Sequence, residues 1–288
     1  MNTQNHSNRP TVRNLAIFTI VVITIGWLGH GLDVLMGNPA LESLGMLLWI
    51  IAPLGTSLLL RTFAGDGFKD FGLKLHLKGN VVWYGASLVL YPVVTVCILL
   101  IGSGSGLITF SGFSFTTSGL FLQAFALGLL PMFLKNIFEE FAWRGYLAPK
   151  VYSLHLNDYV GHLLVGLVWG VWHIPYYLFF LDRAVIQDYT SLDLPVFIPL
   201  AIVVIISYAL VYGEIRLLTN SVWPAVLIHM VEDAFVNPLL LDGYIRIKPG
   251  MDILVSPGVS IISIILFSAI GVGLRQLRKR KQKGNEFR

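Results

Sequence analysis

Two adjacent glutamates, Glu139 and Glu140, lie in an apolar stretch that otherwise avoids charge, and an arginine follows at Arg144. In a helix, residues four apart share a face, so Glu140 and Arg144 can pair. Glu139 is turned about 100° from Glu140 around the helix axis and cannot share that arginine equally well. We therefore expect one carboxylate to be neutralised and structural. The other carboxylate, at membrane depth, is by default a functional candidate.

A second interpretation of Glu139 stays open at the level of sequence. Lys135 lies one helical turn before Glu139. An ion pair between them would satisfy the carboxylate and make it structural as well.

Two further apolar stretches carry ionisable residues. One contains Trp169 and His173 and the other His229 and Asp233, and each pair is four residues apart, on one helix face. Asp233 is expected to orient the His229 ring, which is a usual role of a carboxylate beside imidazole. Pro175 has no backbone N–H, so the helix before it should be loosened.

A depth estimate indicates that these groups can meet. At 1.5 Å per residue, Glu139, His173 and His229 fall within roughly 6 Å of a common depth. Three helices can therefore deliver them to one polar cavity, which we expect to open to the cytoplasm. A helix from Gly119 to Lys150 would be about 48 Å long, against a bilayer core of about 30 Å, so it must tilt, protrude or break.

The chemistry of this set is hydrolytic. A glutamate and a histidine can hold and deprotonate water. A second histidine with a polar partner can donate to the oxyanion that forms when that water attacks a carbonyl. The chain has no His-Glu-x-x-His and no Gly-x-Ser-x-Gly pattern. A divalent metal on Glu139, His173 and His229 is chemically reasonable. Spacing does not decide between metal-bound and glutamate-activated water, so the cofactor stays unknown.

The composition is that of an integral membrane protein. The 288 residues are 55% hydrophobic and 12% charged, whereas a soluble domain is about 25% charged. Long apolar runs indicate an all-α fold rather than a barrel. The sequence predicts about eight transmembrane helices, near 14–36, 41–60, 81–101, 119–150, 160–181, 196–217, 222–241 and 257–274.

The domain organisation follows from these spans. We expect a disordered tail at 1–12, one transmembrane domain at 13–274 with a core at about 119–241, and a basic cytoplasmic tail at 275–288. The single cysteine, Cys97, excludes an intramolecular disulfide. The protein should be a multi-pass membrane protein, in the cell membrane if it is prokaryotic.

Charge distribution predicts the orientation. Eight spans place both termini on one side, and the basic loop 61–80 and the tail lie there too. The loops of the other side are rich in aspartate. This asymmetry favours N-in and C-in termini. The net charge of +4 thus reflects topology. The expected partners are the lipid bilayer and a peptide or protein substrate at the membrane, and no nucleic acid.

Three motifs in order resemble one family. Glu139 to Arg144 matches Glu-Glu-x-x-x-Arg, Trp169 to His173 matches Phe-x-x-x-His with tryptophan for phenylalanine, and His229 begins His-x-x-x-Asn/Asp. The set resembles the CAAX protease and bacteriocin-processing (CPBP) family of intramembrane endopeptidases. This family is also called Abi and includes the type II CAAX prenyl endopeptidases. The resemblance covers about residues 119–241 in detail.

The resemblance implies a role for each motif residue. Glu139 would activate water that His173 holds, and His229 with Asp233 would stabilise the oxyanion. An ionised aspartate has no proton to donate, so Asp233 would have to act through His229 or be protonated.

Glu140 and Arg144 would support the site, and Trp169 would alter the shape of the cavity. The implied substrate is a membrane-associated peptide, either prenylated and CAAX-type or a bacteriocin or peptide precursor. Two alternatives use the same groups differently: a non-catalytic immunity or scaffold protein, and a proton-coupled transporter.

Overall fold

The computed structural model describes residues 9–37, 43–110 and 113–286. Within this part, eight helices are long and apolar enough to cross a membrane, which confirms the all-α, multi-pass prediction. In chain order the α-helices are α1 (Arg9–Leu35), α2 (Leu44–Phe63), α3 (Val81–Gly104), α4 (Phe115–Ala142), α5 (Ala148–Tyr152), α6 (Asp158–Trp172), α7 (Arg183–Tyr189), α8 (Leu194–Thr219), α9 (Trp223–Leu241), α10 (Asp252–Val255) and α11 (Ile261–Glu286).

The outward faces of the helices are apolar. Large side chains such as Leu28, Leu59, Leu100 and Leu127 are exposed. A water-soluble protein rarely leaves so much apolar surface uncovered. In a bilayer these faces contact lipid, while the backbone is satisfied within each helix.

Two predicted tails are partly helical. Helix α1 already begins at Arg9, so the end of the tail predicted as disordered is helix, and residues 1–8 lie outside the described part. Helix α11 continues through the basic segment to Glu286. Its Arg278 donates to Glu214 of α8 at 2.6 Å and to Asp158 of α6 at 3.0 Å, which holds this end against the bundle.

The loop after α3 contains a short strand. Strand β1 (Ile108–Thr109) pairs antiparallel with β2 (Arg246–Ile247). Ser114 then caps α4 in a reciprocal capping box with Thr117. The ribbon joins the loop before α4 to the loop after α9, on the side opposite the termini.

Close packing brings the motif-bearing helices together. Helix α4 packs along α9, α6 packs along α8, and α8 packs along α11. Glycine permits the closest approaches, since a Cβ on Gly166 of α6 would lie 2.7 Å from the Cα of Ile206 in α8. The bundle therefore presents α4, α6 and α9 around one interior space.

The long fourth span runs as one helix over Thr117–Tyr152, 36 residues, with a π-helical turn inside it, so it does not break and must tilt or protrude. After α4 the chain forms a π-helical turn, Trp143–Leu147, before α5. A second π-helical turn, Tyr176–Phe180, follows α6, with Pro175 at its start. π-Helical turns inside helices occur often at functional sites. Here one follows Glu139 by a turn and the other follows His173.

Candidate active site

One cavity of about 380 Å³ is lined by all four predicted catalytic residues, Glu139, His173, His229 and Asp233. The structure therefore brings together the three helices that the depth estimate placed together. Much of the remaining wall is aromatic: Trp49, Tyr176, Tyr177, Tyr189, Phe197 and Tyr208. A space of this size and lining can take several side chains of a ligand.

The cavity extends away from the termini. Its far wall includes Leu181, Val185, Leu241 and Gly258, at helix ends and loops of the side opposite the termini. Among the described residues, none of the terminal-side loops at 64–80, 153–157 and 220–222 contributes to the lining. With the cytoplasmic termini that we expect, this end of the cavity faces away from the cytoplasm, whereas the sequence led us to expect a cavity that opens to it.

A layer of ion pairs closes the terminal side. Arg61 pairs with Asp70 at 2.6 Å and Lys150 pairs with the same carboxylate at 3.0 Å. The Tyr146 hydroxyl donates to Asp66 at 2.7 Å. Burial raises the pKa of Asp70, but the bonds to Arg61 and Lys150 outweigh it and hold the pKa below its ordinary value. Charge counting used these basic residues as orientation markers and gave no sign that they fold over the bundle end.

Glu139 is buried and is held on both oxygens. Its Oε2 accepts the indole N–H groups of Trp169 at 3.2 Å and Trp143 at 3.4 Å. Its Oε1 lies 3.0 Å from Lys135 Nζ, so the alternative ion pair is present. That contact lacks the angle of a hydrogen bond, and Oε1 has no hydrogen-bond partner among the described residues. The second oxygen can therefore accept from a group that enters the cavity.

Glu140 and Arg144 form the predicted buried pair, with Arg144 donating to Glu140 Oε1 at 3.0 Å. The same oxygen accepts from His229 Nδ1 at 2.9 Å. The guanidinium lies over the rings of Trp169, at 4.1 Å, and Tyr212, at 4.6 Å. Glu140 thus fixes both a cation and an imidazole.

The expected role of Asp233 in orienting His229 is wrong. Asp233 Oδ2 is 3.9 Å from His229 Nε2, which is too far for a hydrogen bond. Asp233 instead accepts from Lys135 Nζ at 3.0 Å and from Asn136 Nδ2 at 2.8 Å. Because Glu140 holds Nδ1, the Nε2 atom of His229 faces the cavity carboxylates.

His173 has a defined tautomer. Its Nδ1 lies 2.8 Å from the carbonyl oxygen of Trp169, which only accepts, so Nδ1 carries the proton. The ring lies nearly parallel to that of Tyr177, with centroids 5.8 Å apart. A neutral His173 can therefore offer the Nε2 lone pair to a donor in the cavity.

Sequence reasoning missed three residues of this site. Lys135 was considered only as a partner of Glu139, and Asn136 was not considered. Glu232 also lines the cavity. Helical periodicity could have identified two of them. Lys135 and Asn136 precede Glu139 by four and three residues, so they lie next to it on the same face of the helix.

The ligand set that the sequence left open for a metal, Glu139, His173 and His229, does not assemble. Among the described residues, the group whose ligand atoms lie within 4.8 Å of one another is His229, Glu232 and Asp233. Asp233 already contacts the Lys135 ammonium, a cation that opposes a metal ion at the same oxygen. The residues present therefore do not fit a metal on Glu139, His173 and His229.

Eight apolar spans around a buried glutamate and two histidines define a multi-pass membrane protein with a polar site inside the bundle. Residues 121–235 match the family model described as Rce1-like, type II CAAX prenyl endopeptidase Rce1-like. The match includes all three motifs and agrees with the resemblance found in the sequence. No curated protein matches the chain.

Proposed function

We propose that this protein is an intramembrane endopeptidase that hydrolyses a peptide bond with water activated by Glu139. One observation supports this most directly. Glu139 Oε1 and the ring of His173 line the same cavity, and each offers an acceptor for the protons of a water molecule. A buried carboxylate with an available oxygen beside a neutral imidazole is the arrangement that general-base catalysis needs.

The reaction balances with this chain's own groups. Water donates one hydrogen bond to Glu139 and one to His173. As the water oxygen bonds to the carbonyl carbon, Glu139 takes a proton and the carbonyl electron pair moves to its oxygen. Collapse of this intermediate breaks the C–N bond, and the proton on Glu139 passes to the leaving amine. The products are a carboxylic acid and an amine.

In this reaction His229 would stabilise the oxyanion. Its Nδ1–H is bound to Glu140, so donation through Nε2 requires the doubly protonated ring. The carboxylates of Glu140, Glu232 and Asp233 surround that ring and offset its charge. Arg144 fixes Glu140 and so positions the imidazole without touching the substrate.

The wall of the cavity indicates an apolar, membrane-associated substrate. Aromatic rings line the path between the glutamate and the far side of the bundle. Two substrate classes fit this chemistry: a prenylated CAAX-type peptide, and a bacteriocin or other peptide precursor held at the bilayer. Both place an extended peptide near Glu139 and an apolar group against the rings.

The proposal is tested by comparing membrane peptides from cells that express the wild-type protein or Glu139→Gln, using mass spectrometry. We expect a precursor to accumulate and its shortened product to disappear in the variant. Asp188→Asn, which neutralises an exposed carboxylate outside the cavity, is the matched control and should leave the peptides unchanged. Identical peptide profiles for wild type and Glu139→Gln would instead support a non-catalytic protein.

A further inference from the structure

We propose that Lys135 is a catalytic residue that donates a hydrogen bond from its ammonium to the oxyanion of the tetrahedral intermediate. This inference rests on the proposed hydrolysis, and it concerns a residue outside the three family motifs. It is independent of the identity of the substrate.

Lys135 lies between the two acidic residues of the site. Its Nζ is 3.0 Å from Glu139 Oε1 and 3.0 Å from Asp233 Oδ2. The side chain is 36% exposed, whereas that of Glu139 is 2% exposed. Lys135 also lines the cavity. A substrate that reaches Glu139 therefore also meets the ammonium group.

Asp233 cannot fill the donor role itself. It accepts from Lys135 and from the Asn136 amide, both at Oδ2, so its bonded oxygen serves as an acceptor. An ionised carboxylate has no proton to donate. The His229 ring would then be the one donor to the oxyanion among the four predicted catalytic residues. The lysine ammonium has three donors and is held in place by Asp233, so it can supply the missing hydrogen bond.

The movement of negative charge during the reaction favours this hydrogen bond from Lys135. Before attack, the ammonium faces two carboxylates. When Glu139 takes the proton from water it becomes neutral, and the negative charge moves to the substrate oxygen. Lys135 loses one charged acceptor and gains another nearby, while Asp233 keeps the ammonium in place. The hydrogen bond from the ammonium to the substrate oxygen is thus stronger in the transition state, where that oxygen is charged, than in the ground state, where it is a neutral carbonyl. This difference is the condition for accelerating the chemical step.

The test uses the full-length protein in detergent and the peptide that accumulates with Glu139→Gln. We expect Lys135→Met to lower kcat by about 100- to 1,000-fold, the effect of removing one oxyanion donor, with KM little changed. Lys135→Arg keeps a charged donor and should retain more of the rate. A phosphinic analogue of the peptide, which mimics the tetrahedral oxyanion, should lose affinity for Lys135→Met by a similar factor.

A double variant tests whether a neutral donor can replace the ammonium. Lys135→Met combined with Asp233→Asn removes one charge of each sign and places an amide donor at the oxyanion side. We expect the kcat of this variant to be at least about ten-fold higher than that of Lys135→Met. The reason is that removing one oxyanion donor lowers kcat by more than about ten-fold.

Two results would overturn the role of Lys135. One is a kcat for Lys135→Met within about three-fold of wild type while Glu139→Gln is inactive. The other is full affinity of Lys135→Met for the phosphinic analogue. Unchanged cleavage in Glu139→Gln would overturn the hydrolytic proposal itself, and with it this inference, so the two failures are distinguishable.

Discussion

His229 donates from Nδ1 to Glu140 at 2.9 Å, so the second glutamate of the pair, and not the aspartate four residues later, sets the orientation of the imidazole. Arg144 binds the same oxygen at 3.0 Å. The pair that looked purely structural in the sequence therefore connects the fourth span to the histidine of the seventh.

Removing the positive charge of Arg144 should destabilise the fold. Arg144→Met leaves Glu140, which is fully buried, without its arginine partner and bound only to His229. Breaking a buried pair in this way costs about 3–5 kcal/mol. We expect a melting temperature several degrees lower, measured in detergent by tryptophan fluorescence. The double variant Glu140→Gln, Arg144→Met should lose less, and equal losses would contradict the pairing argument.

Trp169 joins the site in two ways, through its N–H to Glu139 and its ring face over Arg144. Trp169→Phe keeps the ring face and loses one hydrogen bond to a charged group, a loss of about 1.5–3 kcal/mol. Trp169→Ala also opens a cavity and should cost about 3–5 kcal/mol. Melting temperatures of the two variants test this order. If phenylalanine were as damaging as alanine, the contact with Arg144 would be irrelevant.

The helical C-terminal segment should depend on one buried arginine. Arg278 binds Glu214, whose side chain is 0% exposed, whereas Arg280 on the same helix is exposed. We expect Arg278→Gln to speed tryptic cleavage after 270 and lower the melting temperature, because the buried Glu214 loses its arginine partner and keeps only His162. Arg280→Gln should behave like the wild type. Equal cleavage rates in both variants would show that the ion pair does not hold this segment.

The orientation of the protein in the membrane can be tested by labelling loops on the two sides. The charge asymmetry predicts cytoplasmic termini, and the cavity extends from Glu139 towards the opposite end of the bundle. A Cys97→Ser protein with Asp188→Cys should therefore react with an impermeant thiol reagent in intact cells. The same background with Lys74→Cys, in the loop on the terminal side, should react only after lysis. The reverse pattern would place the termini outside.

The sequence predicted what depends on local spacing and on composition. The eight spans follow from apolar run length, and the Glu140–Arg144 pair follows from a four-residue separation. The contact between Lys135 and Asp233 joins residues 98 positions apart. It depends on how α4 and α9 pack, which periodicity does not report. The direction of the cavity was missed because charge counts give the side of each loop but not which loop folds over the bundle.

The Glu139→Gln variant tests most directly whether this carboxylate activates water. Glu139→Gln has nearly the same shape, and the amide oxygen can still accept from the Trp169 indole, so folding should be retained. It cannot accept the proton from water. In detergent, with a peptide that the wild type cleaves, we expect cleavage to fall by about 100- to 10,000-fold while the melting temperature stays close to that of wild type. Cleavage within about two-fold of wild type by the folded variant would contradict the claim that this carboxylate activates water.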